Sequence, residues 1–428
     1  MLLAKISARM VKKRLGKIAY RFTDSPALAC GSHYGIYVNI PFCHTRCSFC
    51  PFYKELYRED LKNRYVRALA EEIKVADISG TPWFTYFGGG TPNLLSIEDL
   101  AQIVDALRRK VQLHDMGIEL SPARLTPDYI RCLRSLGFSK ISLGIQSFSA
   151  AVTQAVCRSG NPFEHVNSLV SCARAEGLRV NIDLLFGLPS QSRDIILRDF
   201  ELLKETAADQ VSLYPLIVSR GHSIPFTPPL SAAEQLALIE EAENLFSKAG
   251  YARKTIWVFA KGGDALYDTS GSEIDADYRG FGAGAYSVRS GVRLMNPDVY
   301  SYIAGIENKQ PRAFVAGGAG RRDEMRRFSK MLYSLGIEKD GAGPFMIRLL
   351  QKLLEACSYT RNGQVTGKGR MLAHLVSKTV MEELPFPLIC NDSITNYRDY
   401  ADYRERARDS ISGSADSQAR LKKVIAAG

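Results

Sequence analysis

A chain of 428 residues is too long for one average domain and suits two or three. At 46% hydrophobic and 24% charged, it is composed like an ordinary globular protein with ample core-forming side chains, which excludes a disordered or fibrous chain. The net charge of +11 admits nucleic acid, an acidic membrane surface or an anionic small molecule as partner; the basic stretches RMVKKRLGK and GRRDEMRR lack the interleaved aromatics of single-strand binders, so a solvated basic face and no nucleic-acid partner are expected.

Residues 1–34 read as a basic N-terminal segment, without the apolar core and small-residue cleavage site of a secretory signal. From residue 35 to about 225, short β-rich runs alternate with helical patterns. GIYVNI (35–40) predicts a strand, and EDLKNRYVRALAEEIKVAD a helix after it. WFTYF (83–87) is the second strand, followed by the helix SIEDLAQIVDALRRKV with Ser96 as N-cap. GIEL (117–120) leads into TPDYIRCLRSLG, which opens on Thr-Pro and stops at Gly137. KISLGIQ (140–146), RVNIDLLFGLP (179–189) and QVSLYPLIV (210–218) complete six strands. Repeated strand–helix units predict an α/β fold with a parallel sheet, here a partial (β/α)6 TIM-like barrel whose chemistry sits at the carboxyl ends of the strands.

Residues 226–311 are expected to extend the barrel on its substrate side, beginning with the helix SAAEQLALIEEAENLFSKAG (231–250) and its Gly stop. Residues 312–428 are expected to form a smaller, mainly helical C-terminal domain. The longest charge-free run, between Asp77 and Glu98, contains GGGTP and two prolines, so it is no membrane helix. Of nine cysteines, six are scattered, which predicts no disulfide framework and a reducing, cytoplasmic setting.

The other three cysteines, Cys43, Cys47 and Cys50, lie in NIPFCHTRCSFCPFY, directly after the first strand. A structural zinc site wants four protein ligands, commonly two CxxC pairs, and there is no second pair. His44 is adjacent to Cys43 and poorly placed to share its ion. Three thiolates after a strand suit an iron–sulfur cluster with one iron left open.

CxxxCxxC after the first strand of a βα barrel resembles the radical S-adenosylmethionine (SAM) superfamily. The resemblance implies a [4Fe–4S] cluster on the three cysteines, SAM on the open iron, and a 5′-deoxyadenosyl radical made with an electron from flavodoxin or ferredoxin. YFGGGTPNLL resembles that family's glycine-rich turn, which implies that Gly88, Gly89, Gly90 and Thr91 meet the methionine part of SAM. The rest of residues 35–310 is similar to the oxygen-independent coproporphyrinogen III oxidase-like family, which includes haem chaperones, haem-degrading enzymes and class C methyltransferases and cyclopropanases. This likeness implies that Glu119, Gln146, Arg158 and Asp183 hold SAM's methionine and ribose groups, with Tyr37 and Phe49 lining the same pocket and Phe49 beside the adenine.

The chain departs from the oxidases at two places. Phe52 stands where they carry a further cysteine, and Asn39 where they usually carry histidine. The histidine-bearing signature of the haem chaperones is missing from SEIDADYRGFGAGAYS. These departures set the expectation: a class C type one-carbon transfer, methylation or cyclopropanation, using two molecules of SAM on a small, anionic substrate. Tetrapyrrole decarboxylation or ring opening, and haem handling, are the alternatives. Tyr267, Tyr278, Tyr286 and Arg289 are the candidates to face the substrate.

Overall fold

The computed structural model describes residues 6–9, 11–12, 19–25, 28, 34–219, 222–262, 277–289, 292–317, 328–336, 345–383 and 394–425. Six strands follow one another in space as in sequence: β2 (Tyr34–Ile40), β3 (Thr85–Gly89), β4 (Met116–Leu120), β5 (Phe138–Gln146), β6 (Arg179–Phe186) and β7 (Gln210–Pro215), after β1 (Arg21–Asp24). All five pairings among the six are parallel. The expected partial barrel is thus present.

Each strand alternates. Ile36, Val38 and Ile40 of β2, Ile141, Leu143 and Ile145 of β5, and Val180, Ile182 and Leu184 of β6 belong to the main apolar core. Their opposite faces carry Tyr37 and Asn39, Ser142 and Gly144, and Asn181 and Asp183. Apolar residues on one face of a strand pack against helices, and the other face lines the barrel.

The helices begin where the sequence says they should. Ser96 caps α2 (Ile97–Arg108) in a capping box with Asp99, and Ser231 does the same with Glu234 for α7. Thr126 accepts from the Tyr129 N–H at the start of α3 (Pro127–Ser135), and Gly137, at φ +89°, takes the left-handed conformation that ends it. In chain order, α1 is Glu59–Val75, α4 Ala150–Ala155, α5 Phe163–Ala175, α6 Arg193–Glu205 and α7 Ala232–Ser247. The second strand is offset from its prediction. Thr85–Gly89 pairs with β2 through both glycines, Gly88 with Asn39 and Gly89 with Ile40, while the predicted first residues Trp83 and Phe84 stay outside it.

The sheet continues beyond the six strands on both sides. Past β7 come β9 (Val258–Lys261) and β8 (Tyr251–Arg253), both antiparallel. Past β2 lies β10 (Asp277–Phe281), parallel to it, then β11 (Tyr286–Arg289), β12 (Val292–Met295), β13 (Arg312–Ala316) and finally β1. Helix α8 (Val299–Glu307) lies between β12 and β13. The C-terminal region is helical: α9 (Phe345–Ala356), α10 (Gly367–Glu383) and α11 (Tyr397–Ile425).

Two buried polar groups tie these parts together. His374 of α10 accepts from Trp257 Nε1 at Nδ1 (3.2 Å), so its Nε2–H donates to Gln235 of α7 (3.2 Å); burial pushes its pKa down to about 3, keeping the ring neutral. Glu72 of α1 accepts from the Gly282 N–H (2.8 Å), the Asn296 amide (3.0 Å) and the Tyr302 hydroxyl (2.6 Å), and pairs with Arg279 at 3.5 Å. It thereby pins the β10–β12 extension to the first barrel helix. Replacing Glu72 with Ala strands several buried donors at once, so a stability loss of about 3 kcal/mol is expected in urea unfolding. The same change at exposed Glu71 should cost no more than about 0.5 kcal/mol.

Candidate functional site

The cysteine loop leaves β2 at Ile40 and is held at several points. The Glu55 and Tyr57 N–H groups bond back to the Pro41 (2.7 Å) and Cys43 (2.9 Å) carbonyls, and Lys54 Nζ donates to the Cys50 carbonyl (2.7 Å). The Ser48 N–H reaches the Val156 carbonyl (3.1 Å), anchoring the loop to the end of α4. Phe49 is buried with Val152, Val156, Leu188 and Leu216, and Cys47 and Cys50 pack at the edge of this cluster. His44 is exposed, its ring 5.4 Å from that of Tyr57.

All three cysteines are free thiols and half-buried. Burial pushes Cys43 up to about 11, with the neighbouring Cys50 and Cys47 adding to the rise against the Thr91 hydrogen bond. Among the described residues, no group of three His, Cys, Asp or Glu side chains is arranged to hold a single metal ion. Three cysteines on one loop suit a polynuclear cluster, whose irons each take their own thiolate. Cation and hydroxyl donors already face the sulfurs: Arg158 Nη1 lies 3.8 Å from Cys47 Sγ and the Thr91 hydroxyl 3.6 Å from Cys43 Sγ. Such donors suit the sulfurs of a bound cluster.

The glycine turn is fixed by backbone contact. A Cβ on Gly90 would come 2.5 Å from the Phe42 carbonyl oxygen, and the Gly90 N–H donates to the Ile40 carbonyl (2.8 Å). Gly89 sits at φ +109°, in glycine's own region of conformational space, and its N–H donates to Glu119 Oε2 (3.3 Å). A Cβ on Gly88 would meet the Tyr37 hydroxyl (2.8 Å) and the Glu119 carboxylate (3.0 Å). Tyr37 stacks on Tyr86 with ring centroids 6.3 Å apart. Thus Tyr37, the turn and Glu119 meet at the ends of β2, β3 and β4.

On the other side of the loop, the Arg158 guanidinium also donates to the Gly144 carbonyl. Gln146 ends β5 at φ +71°, where the register with β6 shifts, and its side chain lies beside Gly144. Asp183 sits deeper, three residues before the end of β6. It accepts from Ser142 (2.7 Å) and Asn181 (2.8 Å); burial pushes its pKa up, while these hydrogen bonds and the Arg158 charge pull it down.

The substrate candidates are not gathered in the same way. Tyr278 is buried on β10, opposite Gly35. Tyr286 packs against the separate cluster of Tyr20, Phe22, Met295, Phe314 and Tyr400. Arg289 lies at the far end of β11, and Tyr267 falls outside the described residues. Asn39, read in the sequence as a departure from the oxidases, donates its amide to the Ala283 carbonyl (2.6 Å) and accepts from the Tyr37 hydroxyl at Oδ1 (3.4 Å), a packing role that reading did not include. Sequence reasoning missed Gln191, which takes the Gly187 (2.9 Å) and Leu188 (3.1 Å) N–H groups and so shapes the GLP turn. The sequence signal for Asn39 was its polarity inside an otherwise apolar strand.

Residues 37–203 match the radical SAM superfamily. Among curated relatives, the heme chaperone HemW of Mycobacterium tuberculosis is 27% identical over 373 residues, covering 82% of this chain and 95% of that protein. The oxygen-independent coproporphyrinogen III oxidase of Escherichia coli K12 is 28% identical over 324 residues, 68% of this chain and 69% of that one. Anaerobilin synthase of E. coli O157:H7 is 34% identical over 191 residues, 43% of each chain. In fold, the chain is similar to the solved coproporphyrinogen III oxidase (HemN) of E. coli, a radical SAM enzyme, with a TM-score of 0.68 at 21% identity over 87% of this chain and 93% of that one.

Asp199 of α6 supports the loop after Gln146, accepting from the Ser147 hydroxyl (2.6 Å) and the Phe148 N–H (3.0 Å). Burial pushes its carboxyl from 3.8 up to about 6 against those hydrogen bonds. Between those values the folded chain binds more protons than the unfolded one, so this stability contribution is complete at lower pH and is lost as pH rises through the window. Urea unfolding across that range should show the decline, and Asp199→Asn should flatten it.

Proposed function

The chain belongs to the radical SAM superfamily, in its HemN/HemW-like branch, and from that premise we propose that it carries out radical chemistry on a tetrapyrrole. The observation that carries the reading is extent: the likeness to the heme chaperone covers 82% of this chain and that to the coproporphyrinogen III oxidase 68%, well beyond residues 37–203, which match the superfamily at large. The one-carbon transfer expected from Asn39 and Phe52 draws no support from these relatives. The structure also gives Asn39 a different meaning. Its amide joins β2 to Ala283, so the residue serves strand-to-extension packing as well as the pocket.

Cys43, Cys47 and Cys50 would hold the [4Fe–4S] cluster, and the turn Gly88–Thr91 with Tyr37, Phe49, Glu119, Gln146, Arg158 and Asp183 would hold SAM. When bound, the pair supplies one-electron reductive cleavage of SAM, with flavodoxin or ferredoxin as electron source. The protein's part is placement and charge. Arg158 faces Cys47 and offsets thiolate charge, as outer-shell donors do at metal sites. The glycines let backbone approach a ligand that any side chain would block. Phe49 and its apolar neighbours keep water from the inner side of the loop. Glu119 and Asp183 supply acceptors, and Arg158 supplies a cation, which suit the amino, hydroxyl and carboxylate groups of SAM.

Anaerobically reconstituted protein incubated with SAM and dithionite should form 5′-deoxyadenosine, with turnover stimulated by coproporphyrinogen III or haem. Loss of propionate carbons as CO2 identifies decarboxylation, and an opened ring identifies haem degradation. Haem binding with the cluster intact and no 5′-deoxyadenosine would replace the reading with haem handling. S-adenosylhomocysteine formed with substrate, and no tetrapyrrole product, would return it to one-carbon transfer. Cys47→Ala should bring bound iron and sulfide to background and abolish SAM cleavage; activity surviving in this variant would refute the ligand assignment.

A further inference from the structure

Inside the barrel, beside Asp183, lies a chain of neutral polar groups to which no role has been given above. Gln210 Nε2 donates to Ser212 Oγ (3.4 Å), and Ser212 Oγ donates to Asn181 Oδ1 (2.9 Å). Asn181 Nδ2 then donates both to Ser142 Oγ (2.7 Å) and to Asp183 Oδ1 (2.8 Å). Ser142 Oγ–H closes the set by donating to Asp183 Oδ2 (2.7 Å). These groups come from three adjacent strands in register: Ser142 beside Asn181 beside Gln210, and Gly144 beside Asp183 beside Ser212.

Every proton in this chain points the same way, towards Asp183. Each Asp183 oxygen thus accepts one of these bonds, which work against the effect of burial on its carboxyl. Gln210, Ser142, Ser212 and Asn181 are at most 2% exposed, so water does not compete for these bonds. Of this set, Asp183 alone keeps accessible surface. Layers of Val, Ile and Leu would fill such an interior if packing were the only demand.

We propose that Asn181 is a positioning residue, which through its bonds to Asp183, Ser142 and Ser212 holds the Asp183 carboxylate as an oriented acceptor for the vicinal hydroxyls of a nucleoside. This rests on the reading that assigns Asp183 to the ribose of SAM, and extends it to a residue that touches no ligand itself. Asn181 is the hub because it alone bonds to both of the flanking strands and to Asp183. The groups facing Asp183 are Ser142 on β5, Asn181 on its own strand, Ser212 on β7 and, as the charged one, Arg158.

The test uses the reconstituted holo-protein with S-adenosylhomocysteine as an unreactive probe and its 2′,3′-dideoxy analogue as the control. Asn181→Leu should leave bound iron unchanged and weaken S-adenosylhomocysteine binding about tenfold, the scale of one lost hydrogen bond to a charged group. Binding of the dideoxy analogue should be unaffected. With one donor gone, the acid limb of the binding profile should move to higher pH. Ser142→Ala, which removes the bond to the other oxygen with almost no change in volume, should show the same selective loss in smaller measure, and decides the matter if Asn181→Leu does not fold. Equal losses for both probes, or none, with wild-type binding intact would overturn the proposal alone. No binding of either probe by the wild-type holo-protein would overturn the assignment of Asp183 and the proposal with it.

Discussion

The contact on which the site depends is between two stretches of backbone. Gly90 lies against the Phe42 carbonyl, closer than any side chain allows, and is hydrogen-bonded to Ile40. The parallel register of β2 and β3 continues into this contact without a break. It sets the distance between the loop bearing the three cysteines and the glycine turn. Thr91 then falls beside Cys43, and Gly88 beside Tyr37 and Glu119. Widening that contact by one methyl group would part the two halves of the pocket together.

A second division of labour runs along each strand. One face builds the apolar layer against the helices, which stabilises the fold by area removed from water. The other face gives up such gain and carries hydroxyls, amides and carboxyls joined to one another. The cost of burying these groups is contained because each has a partner and most of the partners are neutral. A barrel that can hold a charged cofactor therefore needs the outer helices to provide nearly all of its cohesion.

The outer layer was the legible half. Alternating strands, Ser and Thr caps and glycine stops have local causes, and Ser96, Thr126 and Gly137 do in the structure what their neighbours in sequence require. The cysteine spacing was equally local. The role of Asn39 was not, because its partner Ala283 is 244 residues away and its meaning lies in that pairing. The same holds for Glu72, an unremarkable acid on an amphipathic helix until Gly282, Asn296 and Tyr302 close on it. Tyr286, a candidate for the substrate side from its glycine-rich segment, packs its ring against the aromatic cluster of Tyr20, Phe22, Phe314 and Tyr400, a contact also remote in sequence. Strand β3 begins two residues later than WFTYF predicts and runs on through Gly88 and Gly89, which pair with β2 although glycine weakens a strand by propensity.

The edge strand β1 has a consequence for how the chain is made. Among the described residues, 21–24 pair with β13, and the Phe22 N–H bonds to the side chain of Asn396, 374 positions later. As the chain is made, this segment meets those partners only after residues 312–316 and 396 have been synthesised. The six barrel strands, each beside its predecessor, can assemble in order meanwhile. A loop closure of that span is a slow, topologically demanding late step of folding. A change in residues 21–24 would act on that step and leave the local contacts of the cysteine loop untouched.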